Sequence, residues 1–104
     1  VIALAKIHGN WCGPNWTAGQ KIPASKLKKS RRGFKCIDKL DCACRNHDIS
    51  IKDDGPSFQS DQALQDQAQR IINNPINAII NPLMYAKAIA VRNVMSLTKF
   101  TRRK

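Results

Sequence analysis

Glutamate is missing from this sequence altogether: its seven acidic residues are all Asp. Any mechanism built on Glu is excluded, and carboxylate chemistry falls to a short set. Aromatics are scarce at 6%, with Tyr85 the single tyrosine, which leaves little for a base-stacking nucleic-acid surface. No apolar run of roughly 18 residues occurs, so no helix is expected to span a membrane. Neither common glycine-rich nucleotide loop is present. No charged-then-apolar signal segment opens the chain, and Val1 in place of Met fits either a processed fragment, as of a larger precursor, or a mature form.

What is present is a chain of 104 residues, 42% apolar, read as one domain over 1–104. Eighteen Lys and Arg against seven Asp give a net charge of +11. That balance implies an anionic partner: a phospholipid surface, a nucleic acid or an acidic glycan. The four cysteines, Cys12, Cys36, Cys42 and Cys44, read as two disulfides in an oxidising, extracellular compartment. Each bridge contributes about 2–4 kcal/mol, and three pairings are open. A zinc site from Cys36, Cys42, Cys44 and His47 is the rival, but it lacks the paired knuckles of common zinc modules.

The element pattern is mainly helical, without repeats or sustained strands. Val1, Ile2, Leu4 and Ile7 suit a short helix or an extended arm. Residues 9–19, rich in Gly and Asn, form a loop, and residues 20–35 a basic connector. A helix is expected from Ile37 to Ile51, with Asp38 and Asp41 near its start and Leu40, Cys44, His47 and Ile51 on one face. The turn at 53–56 ends it. A second helix is expected from Ser60 as N-cap to Ile72, with Ala63, Leu64, Ala68 and Ile71 inward. Asn74-Pro75 and Asn81-Pro82 each have the N-cap plus N1 form. They open a short helix (Ile76–Ile80) and a longer one (Leu83–Phe100). The tail TRRK is a solvated end.

Two motifs carry the chemistry: Trp11-Cys12-Gly13-Pro14-Asn15, and the run from Asp41 to Asp48 ending in Arg45-Asn46-His47-Asp48. Adjacent on a helix, His47 and Asp48 point about 100° apart and serve different partners. His is the natural general base near neutral pH. Asp is a hard oxygen ligand suited to calcium, which takes backbone carbonyls as well. A glycine- and proline-containing loop can turn such carbonyls inward.

These motifs resemble the secreted phospholipase A2 superfamily, most in the manner of its compact insect-venom-like and viral branches. The resemblance covers Trp11–Asn15 and Asp38–Asp48, with looser support at Asp61. It implies a small disulfide-stapled helical domain of phospholipase A2 type, with two roughly antiparallel central helices and a calcium-binding loop. It implies hydrolysis of the sn-2 ester of glycerophospholipids at a membrane interface by a secreted, calcium-dependent enzyme. His47 would be the general base, and Asp61 would fix its tautomer. Asp48 and the carbonyls of Trp11, Gly13 and Asn15 would ligate calcium, and the N–H of Gly13 would stabilise the oxyanion. Cys12 would pair with Cys44, which leaves Cys42 to Cys36. Asn15 stands where the family usually has Gly; Asn tolerates left-handed backbone angles better than most residues. Ala43 separates Cys42 from Cys44, where the family has adjacent cysteines, and Ile51 replaces a common Tyr.

Other residues have plainer readings. His8 is a loop or surface residue, Asp53 and Asp54 turn residues, and Asp66 a solvated backup to Asp61. Asp61 itself could be a first-turn acid. Trp16 suits the headgroup region of a membrane, and Lys28, Lys29, Arg31 and Arg32 suit its anionic surface. The apolar residues of 76–97 read as core before membrane patch. The expected partner is thus an anionic phospholipid surface, with no specific nucleic acid and a monomeric chain. The alternative function is a non-catalytic cationic module that binds or disrupts membranes on the same fold.

Overall fold

The computed structural model describes residues 6–102. The expected arm at Val1, Ile2 and Leu4 and the end of the tail, Arg103 and Lys104, lie outside them. Four α-helices follow a long irregular segment: α1 (Lys39–Asp54), α2 (Phe58–Asn73), α3 (Ile76–Ile80) and α4 (Pro82–Thr98). Short 3-10 turns occupy Ala24–Lys26, Lys29–Arg31 and Lys99–Arg102. The basic connector is thus partly ordered rather than a plain link. Among the described residues only two isolated bridges occur, His8 with Cys12 and Thr17 with Gln20, and no sheet.

Asp38 caps α1: its carboxylate accepts the N–H of Asp41 at 2.9 Å. The helix starts after Ile37, which is exposed, and continues through Asp53 and Asp54. Those two acids are therefore the last helical turn, not turn residues. Gly55, at φ 80°, ends the helix in a conformation that costs a Cβ-bearing residue more. Buried positions Leu40, Asp41, Cys44, His47 and Asp48 form one stripe, the i, i+1, i+4, i+7, i+8 pattern of a core-facing helix.

Three residues, Gly55 to Ser57, turn the chain into α2, which packs against both α1 and α4. Its N-cap is Ser57, not Ser60. Ser57 Oγ accepts the Ser60 N–H at 3.0 Å while Ser60 Oγ donates to the Ser57 carbonyl. Both hydroxyls suit a cap; this reciprocal pair gives Ser57 the role and lengthens the helix. The inward stripe is Asp61, Leu64, Ala68 and Ile71; Ala63, a 100° step away from Leu64, is exposed.

Asn81 caps α4 through its side-chain oxygen, with Pro82 in the first turn, as the Asn-Pro signal predicted. Asn74-Pro75 differs from its expected role: Pro75 itself holds the N-cap position of α3 and makes no side-chain cap bond. Met84, Ala88 and Val91 are its buried face. The reading of 76–97 as mainly core does not hold: Ile76, Ile79, Ile80, Leu83, Val94 and Leu97 are all exposed. In α3 the reason is local. The only buried residue is Asn77, whose amide donates to the Ile71 carbonyl at 2.9 Å and satisfies the end of α2. Turning Asn77 inward on a helix this short turns the isoleucines out.

Two disulfides staple the irregular segment, Cys12–Cys44 and Cys36–Cys42. The first spans 32 positions and joins the loop to α1. Constraint of the unfolded chain by such a bridge is worth about 3–4 kcal/mol. Both fit an oxidising compartment, and no zinc cluster forms among the described residues. No helix among them is long and apolar enough to cross a membrane.

Gly9 lies tight against Asp41 in the first turn of α1. Its φ is +62°, and a Cβ there would collide with the carboxyl of Asp41. Gly9→Ala should therefore destabilise the fold by about 2 kcal/mol or more, the sum of left-handed strain and displacement of a buried carboxylate. Urea unfolding with the disulfides intact measures it.

Candidate active site

The core of the site is a buried pair across α1 and α2. His47 Nε2 lies 2.6 Å from Asp61 Oδ1. Asp61 is fully buried, and His47 is 9% exposed. The contact arises because His47 and Asp61 both fall on the buried stripes of their helices, near the turn that joins them. A neutral His47 that donates its Nε2 proton to Asp61 carries its lone pair on Nδ1.

Asp48 sits beside this pair without competing for it. Its Oδ1 is 3.8 Å from His47 Nδ1, too far for a hydrogen bond. Its Oδ2 is buried and has no hydrogen-bond partner. Burial pushes the Asp48 carboxyl up to about 6, against the downward pull of His47. Burial also pushes His47 down, but the neighbouring carboxylates of Asp48 and Asp61 outweigh it and leave its pKa above the ordinary value of 6.5.

Both residues line an open cavity of about 480 Å³. Trp11, Cys12, Gly13, Pro14 and Asn15 line the same cavity, so the loop motif and the helix motif meet there. The Cys12–Cys44 bridge ties them together one helical turn before His47. Gly13 has φ 141° and Asn15 has φ 54°; Asn15 thus adopts the left-handed conformation its side chain tolerates. The Gly13 carbonyl accepts the Trp16 N–H at 3.2 Å, which leaves it one further lone pair. Much of the remaining wall is apolar: Ile7, Leu64, Ile51 and, from α4, Val91, Val94 and Met95.

An orphaned buried carboxylate oxygen in a cavity shared with a loop of left-handed residues is a fitting donor set for a hard cation. Asp48, with the carbonyls of Trp11, Gly13 and Asn15, would supply all-oxygen ligands suited to calcium. A divalent cation beside Asp48 would also offset the cost of burying its charge.

Several residues the sequence reading missed or misplaced support this site. Asp41, fully buried, accepts the N–H groups of Asn10, Trp11 and Ile37 at 2.8–3.1 Å. It is the post on which the loop hangs, not merely a first-turn acid. His8 is not a surface residue: it is 3% exposed and bonds Asp38 Oδ2 at 2.6 Å. Val94 and Met95 gave no sequence signal as cavity wall; only the packing of α4 brings them there.

The expected membrane-facing set fares unevenly. Trp16 is half-buried, with its indole N–H donated to the Gly9 carbonyl at 2.9 Å and Lys6 over its ring. Trp11 is core, with its indole N–H on the Phe34 and Lys35 carbonyls. Arg32 forms a forked pair with Asp53, and Arg31 bonds the Ala18 carbonyl and stacks on Phe34. Lys28 and Lys29 are exposed, as expected. Asp66 is exposed and bonds Gln62. Comparison of the chain with protein-family models, with curated proteins and with solved structures gives no match in any of the three.

Proposed function

We propose that this protein is a calcium-dependent phospholipase A2, which hydrolyses the sn-2 ester of glycerophospholipids at a membrane surface. The observation that carries the reading is the His47–Asp61 pair at 2.6 Å beside an unpartnered Asp48 oxygen, with His47 and Asp48 on one cavity with residues 11–15 and Asp61 buried behind it. In the mechanism, His47 Nδ1 takes a proton from water as that water attacks the ester carbonyl. Asp61 holds the ring in the required tautomer and stabilises the imidazolium that forms. Asp48 and the carbonyls of Trp11, Gly13 and Asn15 would hold calcium, which when bound would supply electrostatic stabilisation of the charge that develops on the carbonyl oxygen. In this reading the N–H of Gly13 donates to that same charge. The apolar wall excludes water and accepts an acyl chain. His47 then returns its proton to the leaving alcohol.

The test is fatty acid release from anionic phospholipid vesicles with millimolar calcium and with chelator. Release should require calcium, and Asp48→Asn should abolish it while the fold survives. Release that persists in chelator, or in the variant, would sink the reading.

A second reading, a cationic membrane-disrupting module without catalysis, is favoured by one observation: the exposed Ile79, Ile80, Leu83 and Leu97 in a chain of charge +11. Leakage of vesicles made from non-hydrolysable lipid separates it from the first.

A further inference from the structure

All seven acids lie between Asp38 and Asp66, and beyond Asp66 every charged residue is Lys or Arg. Residues 71–86 carry no charge of either sign; Arg70 precedes them and Lys87 follows. Much of the apolar content of this cationic half faces outward. Ile79 is 77% exposed, Leu83 60% and Leu97 74%. On α4, Leu83, Ala90 and Leu97 are spaced seven apart and project within about 40° of one another. Exposed Ala86 and Val94 fall beside them. The result is a stripe about 21 Å long, turned about 125° around α4 from the buried face of Met84, Ala88 and Val91. At one end it meets the isoleucines of α3; at the other, Val94 forms part of the rim of the cavity that holds His47.

We propose that this outer face of α4, with the α3 corner, is a docking face for an anionic phospholipid bilayer. Charge selects that occupant. The charged residues of this half are all cationic, which suits acidic headgroups at the edge of an inserted apolar stripe and repels a second copy. Size and composition agree. A stable protein interface takes about 20–30 residues a side, with aromatic or Arg anchors at its centre; the α4 stripe is narrow and aliphatic. Continuity with the cavity rim means that a bilayer laid along α4 brings lipid to the cavity mouth. The face also replaces the one centred on Trp16, Arg31 and Arg32, whose polar groups are engaged within the protein. The proposal rests on the phospholipase reading only for its consequence on hydrolysis; bilayer binding stands by itself.

The experiment is co-sedimentation with vesicles of non-hydrolysable diether phosphatidylglycerol and phosphatidylcholine. It compares the wild type, Leu83→Ser with Leu97→Ser, Ile79→Ser alone, and Lys28→Ser with Lys29→Ser; circular dichroism checks each fold. The Leu pair should lower the partition coefficient by about tenfold or more, and the Ile79 variant in the same direction. The lysine pair should lower it less than the Leu pair does. The proposal is overturned if the Leu pair binds within about twofold of the wild type, or if the lysine pair loses more. It is also overturned if sedimentation velocity shows a wild-type dimer that the Leu pair converts to monomer. Hydrolysis of a monomeric short-chain phospholipid separates the two readings. Unchanged turnover in the Leu pair supports a docking role outside the catalytic machinery. If the wild type shows no turnover but binds vesicles through the stripe, the enzymatic reading falls and the docking face remains.

Discussion

His47→Gln should lower calcium-dependent fatty acid release by roughly a thousandfold, while leaving fold and calcium affinity near those of the wild type. The side-chain amide can still donate to Asp61, so the buried carboxylate keeps a partner and the helix pair keeps its packing. What is lost is the nitrogen that takes a proton from water. Because the proposed calcium ligands are Asp48 and loop carbonyls, the variant separates base from metal. Calcium titration by intrinsic fluorescence, together with initial rates on anionic vesicles, reads both. Substantial residual turnover would remove His47 as the base.

The same residue predicts a pH signature. Asp48 and Asp61 hold the His47 pKa above its ordinary 6.5 despite burial. Its calcium-free titration, followed by NMR of the ring protons, should therefore have a midpoint above that value. In the proposed mechanism a neutral His47 is the active form, so activity should fall as pH drops through its pKa. Asp61→Asn removes one of the two carboxylates that raise that pKa. The acid limb of its activity profile should move to lower pH, and its kcat should also fall because the tautomer is no longer fixed. A limb that stays in place would mean that Asp61 does not act on His47 in the working enzyme.

Asp41→Ala is expected to have the largest effect on stability, about 3–5 kcal/mol. Asp41 is fully buried, and three backbone N–H groups, those of Asn10, Trp11 and Ile37, converge on it. Removing the carboxylate strands all three donors and empties the space beside Gly9 at once. Urea unfolding with the disulfides intact gives the difference directly. Asp66→Ala, at an exposed acid on α2, is the control and should change stability by about 0.5 kcal/mol or less. A loss below about 1 kcal/mol at Asp41 would mean that the Cys12–Cys44 staple alone holds the loop. Activity in the Asp41 variant should fall as well, because Trp11 to Asn15 would no longer be held against α1.

Local chemistry made much of this molecule legible from its sequence. The Asn81-Pro82 step, the acids at 38 and 41 and the turn at 53–56 are short-range signals, and the helix boundaries follow them to within a few residues. The caps are less legible: Asp38 caps α1 from outside it, Pro75 takes the position expected of Asn74, and Ser57 over Ser60 is a choice between two equally suitable hydroxyls that only their mutual hydrogen bond resolves. His47, Asp48 and the loop at 11–15 were legible as candidates because their types and spacing are chemically unusual; Asp61 entered only through the resemblance. Both disulfides formed as the resemblance implied.

Tertiary structure decided the rest, because burial is a property of what packs opposite and not of the residue itself. His8 and Asp41 look like ordinary polar residues in sequence; they are interior because the loop folds back over the start of α1. Ile79, Leu83 and Leu97 look like core, yet α2 covers only one side of α4, and Asn77 takes the inward position on α3. Trp16 looks like a membrane anchor until the Gly9 carbonyl takes its N–H. The sequence by itself determined most of the helices and the presence of disulfides, and marked His47, Asp48 and the loop at 11–15 as candidates. Only the packing of α1, α2 and α4 determined that those residues share one cavity, and which apolar face is left to meet another surface.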